Sequence, residues 1–319
     1  MFSARGLLLI LTTLLTSVWF LGFRAMATQQ GRDAAHPDPA PQVDISLLNQ
    51  RAAAGDAQAA YRLGRCYMEG IGVPQNDSES AGWFERAASS GLPDAQFALG
   101  YLYEHGKGVR QDYKRAAFYY LAAAKQGHAT AQNNLASLYE HGQGLLQALP
   151  QAAYWYRLAA VQGEFVAQCN LATLYFTGRG VPQDVSQAAK WFRAAAERGY
   201  APAQANLGWM YYTGTGVARD ASEAAKWVRL GAEQGYAPAE TDLGYLYEQG
   251  KGVPLDYVNA YEWYHAALSA GDGRAKQRLD DLSHRMTPRQ ISAAKNQVEK
   301  MQQRVWRPVI EEKADFPSR

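Results

Sequence analysis

The chain has 319 residues, with 32 Lys and Arg against 30 Asp and Glu, and two cysteines. A balance this even supplies no strong field for nucleic acid or an anionic membrane surface. Cys66 and Cys169 stand too far apart for a CxxC site and are too few for a disulfide-framed scaffold, so both read as small buried apolar residues.

From Gly6 to Phe23 the chain is uncharged, "GLLLILTTLLTSVWFLGF", and Arg24 then precedes the small triplet Ala25, Met26, Ala27. The run is longer than most signal-peptide cores and shorter than most membrane spans, which need about 20 apolar residues. Residues 1–27 are therefore expected to be a signal peptide cleaved after Ala27 or a retained N-terminal membrane anchor. Arg5 favours a cytoplasmic N-terminus. Either form places the remainder outside the cytoplasm, in the periplasm, soluble or anchored in the inner membrane. Residues 28–44 hold three prolines and little to bury, and are expected to be a flexible linker.

"DISLLNQRAAAG", Asp44 to Gly55, reads as the second helix of an incomplete leading unit, a cap over residues 45–55. A repeat then occupies 56–271. Gly55, Gly91, Gly127, Gly163, Gly199, Gly235 and Gly271 are spaced by 36 residues. Behind the first six come a Leu column, Leu63 to Leu243, and a Tyr column, Tyr67 to Tyr247. Paired loop glycines follow, Gly70 with Gly72 through to Gly250 with Gly252, and then the column Trp83, Tyr119, Trp155, Trp191, Trp227, Trp263.

Each unit predicts two helices. In "AQANLGWMYYTG" the positions Ala203, Leu207, Met210 and Tyr211 follow the stripe of a one-sided helix. The first loop glycine can adopt the left-handed conformation that ends it. Asp112, Asp184, Asp220, Asp256 and Asn76 can then cap the second helix, whose alanines allow close approach. The Trp column is expected to fill the space between repeats. One pair cannot bury its own apolar face, but a stack can, so the fold class is all-α, a right-handed α-solenoid of helix-turn-helix units.

The pattern "AQANLGWMYYTGTGVARDASEAAKWVRLGAEQG" resembles the Sel1-like repeat, the 36-residue relative of the tetratricopeptide repeat. The third unit departs from it, with Ala148 in place of the loop aspartate and Pro150 at the helix start. Beyond 271, residues 272–319 are expected to form capping helices and a tail, with Thr287, Pro288 and Gln290 arranged as a capping box.

Little chemistry survives inspection. Lys251 in "YEQGKGV" follows a helix and lacks the strand and the GK[ST] of a phosphate loop. "SAAK", Ser292 to Lys295, matches an SxxK tetrad of penicillin-interacting enzymes without the SDN or KTG partner that chemistry requires. The histidines form no tight ligand set, so no metal and no cofactor is expected. The first helices carry more promising columns on the side away from the buried stripe. Stacked, they would line a concave wall with Asn134, Asn170 and Asn206 in one line and Tyr101, Trp209 and Tyr245 in another, and His105 and His141 at a shared position. In the related tetratricopeptide repeat an asparagine before "LG" commonly meets the ligand backbone, and the resemblance implies that role for these three. Exposed aromatics are favoured anchors.

The resemblance thus implies a noncatalytic scaffold in the cell envelope that holds a protein or peptide segment in its concave groove. Nucleic acid is not an expected partner, and the membrane is met only through the N-terminal segment. A cell-wall or exopolysaccharide glycan is the alternative ligand, since Trp, Tyr and Asn also suit sugars. A wall- or β-lactam-acting enzyme rests on "SAAK" alone.

Overall fold

The computed structural model describes residues 43–305. The expected export segment, nearly all of the linker and the last residues of the tail lie outside them. Among the described residues there are fifteen helices and no strand. The chain forms two compact units, one ending at Tyr119 and the other starting at Tyr120, with the boundary inside a helix.

The first unit opens with α1 (Ile45–Ala53), which Asp44 caps by accepting from the Leu47 amide. Leu48 of α1 is buried with Leu63 and Cys66 of α2 (Ala57–Glu69). Asp56 caps α2. Asn76 caps α3 (Asp77–Ser89), which packs on both α2 and α4 (Pro93–His105). The unit ends within α5 (Tyr113–Lys125), where Asp112 accepts from the Lys114 and Arg115 amides.

The second unit continues α5 and adds the first helices α6 (Ala129–His141), α8 (Phe165–Thr177), α10 (Ala201–Thr213) and α12 (Ala237–Gln249). They alternate with the second helices α7 (Leu149–Val161), α9 (Val185–Glu197), α11 (Ala221–Ala232) and α13 (Tyr257–Ser269). Each first helix packs on the second helix of its own repeat, and each second helix on the next first helix. Asp184, Asp220 and Asp256 cap as the sequence leads one to expect, and α7 starts at Ala148 with no side-chain cap and with Pro150 in its first turn.

The loop glycines have two different tasks. Gly214, at φ +77, ends α10 in the left-handed conformation. Gly216 is small for another reason: a Cβ there would lie 2.2 Å from the carbonyl oxygen of Val185, the first residue of α9. Gly108, Gly180 and Gly252 lie in the same way against Asp77, Leu149 and Ala221, so the second loop glycine seats these repeats on the start of the preceding second helix. It does more than let the loop double back.

The tryptophan column is corrected by the structure. Trp83, Trp155, Trp191, Trp227 and Trp263 are half-buried at the edges of the clusters. The residues one place on, Phe84, Tyr120, Tyr156, Phe192, Val228 and Tyr264, are the buried ones. A helix turns about 100° per residue, so moving by one position swings the side chain from the rim to the centre.

Two polar ties join neighbouring helices. Arg157, Arg193 and Arg229 of the second helices donate to the hydroxyls of Tyr175, Tyr211 and Tyr247 on the next first helix, at 2.6, 2.5 and 3.0 Å. Each guanidinium also lies about 6 Å from the ring it meets, within cation–π range. Inside, Gln132, Gln168 and Gln204 donate through Nε2 to the carbonyls of Ala124, Ala160 and Ala196 on the preceding second helix, at 3.0 to 3.1 Å. Glu240 takes that place in the sixth repeat.

The far end is held by Glu248 of α12, which accepts from the Tyr264 hydroxyl at 2.7 Å and from Arg285 of α14 (Arg274–Arg285). α15 (Pro288–Val305) opens with the expected capping box, Thr287 N to Gln290 Oε1 at 2.9 Å and Gln290 N to Thr287 Oγ1 at 3.3 Å. It packs on α13.

Two measurements check this core. Phe192→Ala should cost roughly 3–5 kcal/mol, the range for large buried rings, and Trp191→Ala clearly less, as read from denaturant unfolding. Glu240 gives a pH test. Its Oε2 is buried without a hydrogen-bond partner, and burial pushes its pKa up to about 7 from an ordinary 4.5. The raised value means the folded chain loses stability as pH rises through that window and keeps it below about 4.5. Glu240→Gln should therefore raise the melting temperature at pH 8, by an amount near the roughly 1–3 kcal/mol of an unpartnered buried group, and change little at pH 4.

Candidate functional site

The face that the first helices turn away from their core stripe has an irregularity at one column. Five places after each core leucine stand Met68, Glu104, Glu140, Phe176, Tyr212 and Glu248, each 16 residues before the buried column Phe84, Tyr120, Tyr156, Phe192, Val228 and Tyr264. Where the buried residue is Tyr, the partner position is Glu. Tyr156 donates to Glu140 at 3.0 Å and Tyr264 to Glu248 at 2.7 Å. Burial and the Glu140 carboxylate push the Tyr156 phenol well above its ordinary pKa, so it stays a neutral donor.

In the fourth and fifth repeats the buried residue is Phe192 or Val228, with no hydroxyl to satisfy a carboxylate. The partner positions become Phe176 and Tyr212, and their rings turn to the next first helix. Phe176 meets Trp209 edge-on, with centroids 5.7 Å apart, and Tyr212 meets Tyr245 in the same way at 6.0 Å. The Tyr212 and Tyr245 hydroxyls are 3.2 Å apart. Trp209 and Tyr212 are three residues apart on α10, neighbours on one helix face. Phe176, Trp209, Tyr212 and Tyr245 thus form a half-buried aromatic stripe crossing α8, α10 and α12. Two of its four members, Phe176 and Tyr212, were missed by columns read one at a time; the exchange of Glu with Tyr, 16 residues apart, for Phe176 with Phe192 and Tyr212 with Val228 was the signal.

The expected asparagine line is largely taken up inside the protein. Asn134 is buried and donates to the Tyr120 hydroxyl at 3.2 Å. Asn133 donates to Asn134 Oδ1 and Asn170 to Asn133 Oδ1, both at 3.1 Å, so a relay of amides runs from α8 to the second-unit part of α5. The expectation that Asn134 faces outward is corrected: the polar neighbour Asn133, placed where other repeats have Cys169 or Ala205, gives its side chain a partner inside. Asn170 is half-buried, and Asn206 turns back to the Pro202 carbonyl at 2.9 Å.

In the first unit Tyr101 stacks on His105 with centroids 4.1 Å apart, and Lys107 donates to the Tyr101 hydroxyl at 3.2 Å. The His105 ring donates to the Tyr101 carbonyl. In the second unit the His141 ring donates to the Ser137 carbonyl at 2.9 Å. Each histidine is tied to its own helix. Among the described residues no group of three His, Cys, Asp or Glu side chains could hold a metal. Ser292 and Lys295 are both exposed on α15, and no hydrogen bond joins them. Cys66 and Cys169 are free and buried, and burial raises the Cys169 pKa to about 12, which keeps it a thiol.

Paired helices stacked through a column of buried side chains, with loop glycines set against preceding second helices, define an all-α helical-repeat protein. The Sel1 repeat model matches residues 57–92, 93–128, 129–164, 166–200, 201–236 and 237–272, and the chain belongs to that family. It is similar to a protective antigen of uropathogenic Escherichia coli with an SLR fold: 32% identity, TM-score 0.72, covering 81% of this chain and 56% of that one. The chain thus spans little more than half of that relative. A Sel1 repeat protein from Oxalobacter formigenes is 27% identical with TM-score 0.66, covering 78% of this chain and 95% of that one. No curated protein matches the chain.

The relay separates two asparagines of one column. Asn134→Ala takes the acceptor from the buried Asn133 amide and a donor from the Tyr120 hydroxyl, and should cost roughly 1–3 kcal/mol. Asn206→Ala removes a bond within one helix turn and should stay within about 0.5 kcal/mol. Thermal unfolding of the two variants side by side checks the assignment.

Proposed function

We propose that this chain is a noncatalytic scaffold of the cell envelope that holds a protein segment on its first-helix face. The carrying observation is the aromatic stripe of Phe176, Trp209, Tyr212 and Tyr245, which leaves large apolar rings half-covered on one side of the second unit. Such rings are the preferred anchors of protein interfaces. Sel1 repeats serve protein–protein interaction, which supports the same reading.

The envelope part rests on the uncharged run of residues 6–23, which lies outside the described residues. Among the described residues no helix is long and apolar enough to cross a membrane. The E. coli relative, a protective antigen, supports an exported chain.

A photo-crosslinking residue placed at position 209 in intact cells tests both parts. The expected result is a discrete protein adduct in the envelope fraction, absent when the same residue replaces exposed Lys190 on α9. Loss of site dependence, or a chain found wholly in the cytoplasmic fraction, would overturn the corresponding part.

A further inference from the structure

The aromatic stripe has a rim of one sign. Arg219, in the loop after α10, lies 6.0 Å from the centre of the Tyr212 ring, and Arg278 of α14 lies 4.7 Å from that of Tyr245. Arg219 is exposed and makes no ion pair among the described residues. The middle residue of the glycine-pair loop is basic in three repeats, Lys107, Arg179 and Lys251. Arg179 reaches back to Glu140 at 3.1 Å, and Lys107 reaches Tyr101 in the first unit. Lys251 holds that position after α12 and is exposed.

The acids near the stripe are already engaged. Glu140 accepts from Tyr156 and Arg179. Glu248 is buried and accepts from Tyr264 and Arg285, with Arg278 4.0 Å away. Asp242 faces Arg274 at 4.0 Å. The chain as a whole is almost neutral, so this local excess of guanidinium over free carboxylate is a property of the face itself.

We infer that the stripe takes an acidic protein segment in which apolar or aromatic side chains alternate with Asp or Glu. This rests on the docking reading above and gives it a partner chemistry. The apolar side chains would cover Phe176, Trp209 and the Tyr212–Tyr245 pair. A carboxylate would meet Arg219, whose guanidinium lies 6.0 Å from the Tyr212 ring centre and can offer a bidentate contact, while Arg278, set against Glu248, adds positive charge beside Tyr245. A basic segment is disfavoured by the same charges, so the rim selects as well as attracts. Arg219 is well placed for this selection: it lies against the Tyr212 ring, and no carboxylate among the described residues pairs with it.

A random-peptide phage library panned on the full chain, followed by titration of the recovered peptides as synthetic fluorescent probes, tests the inference. The expected peptides combine Asp or Glu with Phe, Leu or Trp, and their affinity falls as salt is raised. Arg219→Glu should weaken them by at least roughly tenfold, and Trp209→Ala should do the same, each judged against the variant's own melting temperature. Arg219 lies in an exposed loop, so its variant stays informative even if loss of Trp209 disturbs the fold. Recovery of neutral or basic peptides that bind through Trp209 but ignore Arg219→Glu would overturn the acidic partner and leave the docking face standing. Recovery of no peptide, of peptides indifferent to both variants, or binding only to a glycan array would overturn the docking face as well.

Discussion

The second helix of every repeat must place one large side chain at the centre of its junction, and the rest of the protein answers to that demand. A helix pair of this size has no interior of its own, so its stability comes from neighbours that cover it. Phe84, Tyr120, Tyr156, Phe192, Val228 and Tyr264 are the residues so covered, each almost inaccessible to water. Opposite them the first helices carry Gly or Ala. A Cβ on Gly244 would fall 2.7 Å from the Tyr264 ring, and one on Gly208 would fall 2.5 Å from Val228. The helical glycines Gly64, Gly208 and Gly244 have a common cause in this approach of backbone to buried side chain, whereas the loop glycines answer to the turn and to the start of the preceding second helix.

The choice made at that buried position decides what the outer face shows. A buried tyrosine brings a hydroxyl that needs an acceptor, and an unsatisfied one is expensive. Glu140 and Glu248 meet the need from the first helix, and in doing so draw arginines to themselves. When the buried residue loses its hydroxyl, the carboxylate loses its reason, and the same position is free to hold Phe176 or Tyr212. Core chemistry and surface chemistry are therefore coupled through one pair of residues 16 apart. The aromatic stripe falls in the repeats where that coupling is released.

This coupling also marks where sequence reasoning reached and where it stopped. The period, the two helices, the left-handed glycines, the aspartate caps and the final capping box follow from local rules of spacing and backbone geometry, and each stands in the structure. The Trp column misled because Trp is the most conspicuous residue of the repeat. Rotation of one residue along a helix separates rim from centre, and a column alone carries no direction toward the neighbour. Trp209 and Tyr245 were legible as aromatics off the core stripe. Phe176 and Tyr212 were not, since their orientation depends on Phe192 and Val228, half a repeat away. Asn134 illustrates the reverse case: a face assignment by angle put it outward, and a polar neighbour, Asn133, drew it in.

The sixth repeat shows how such an array can end without losing its grip. Its first helix keeps the acid that ties it to a buried tyrosine, but Glu240 breaks the glutamine tie toward the fifth repeat, and Ala270 stands where Gln162 and Gln234 complete the tie in the third and fifth repeats. Compensation comes from the far side. Asp272 accepts from Thr241 at 2.8 Å and pairs with Arg274 at 2.6 Å, and Arg285 joins Glu248 to Tyr257. The last first helix is thus held more by the capping helices than by the glutamine ladder that serves the interior. A terminal repeat has only one neighbour of its own kind, and the polar network between α12 and α14 supplies the missing interface. Because that network includes Arg278, which also covers Tyr245, the cap and the end of the aromatic stripe are one structure.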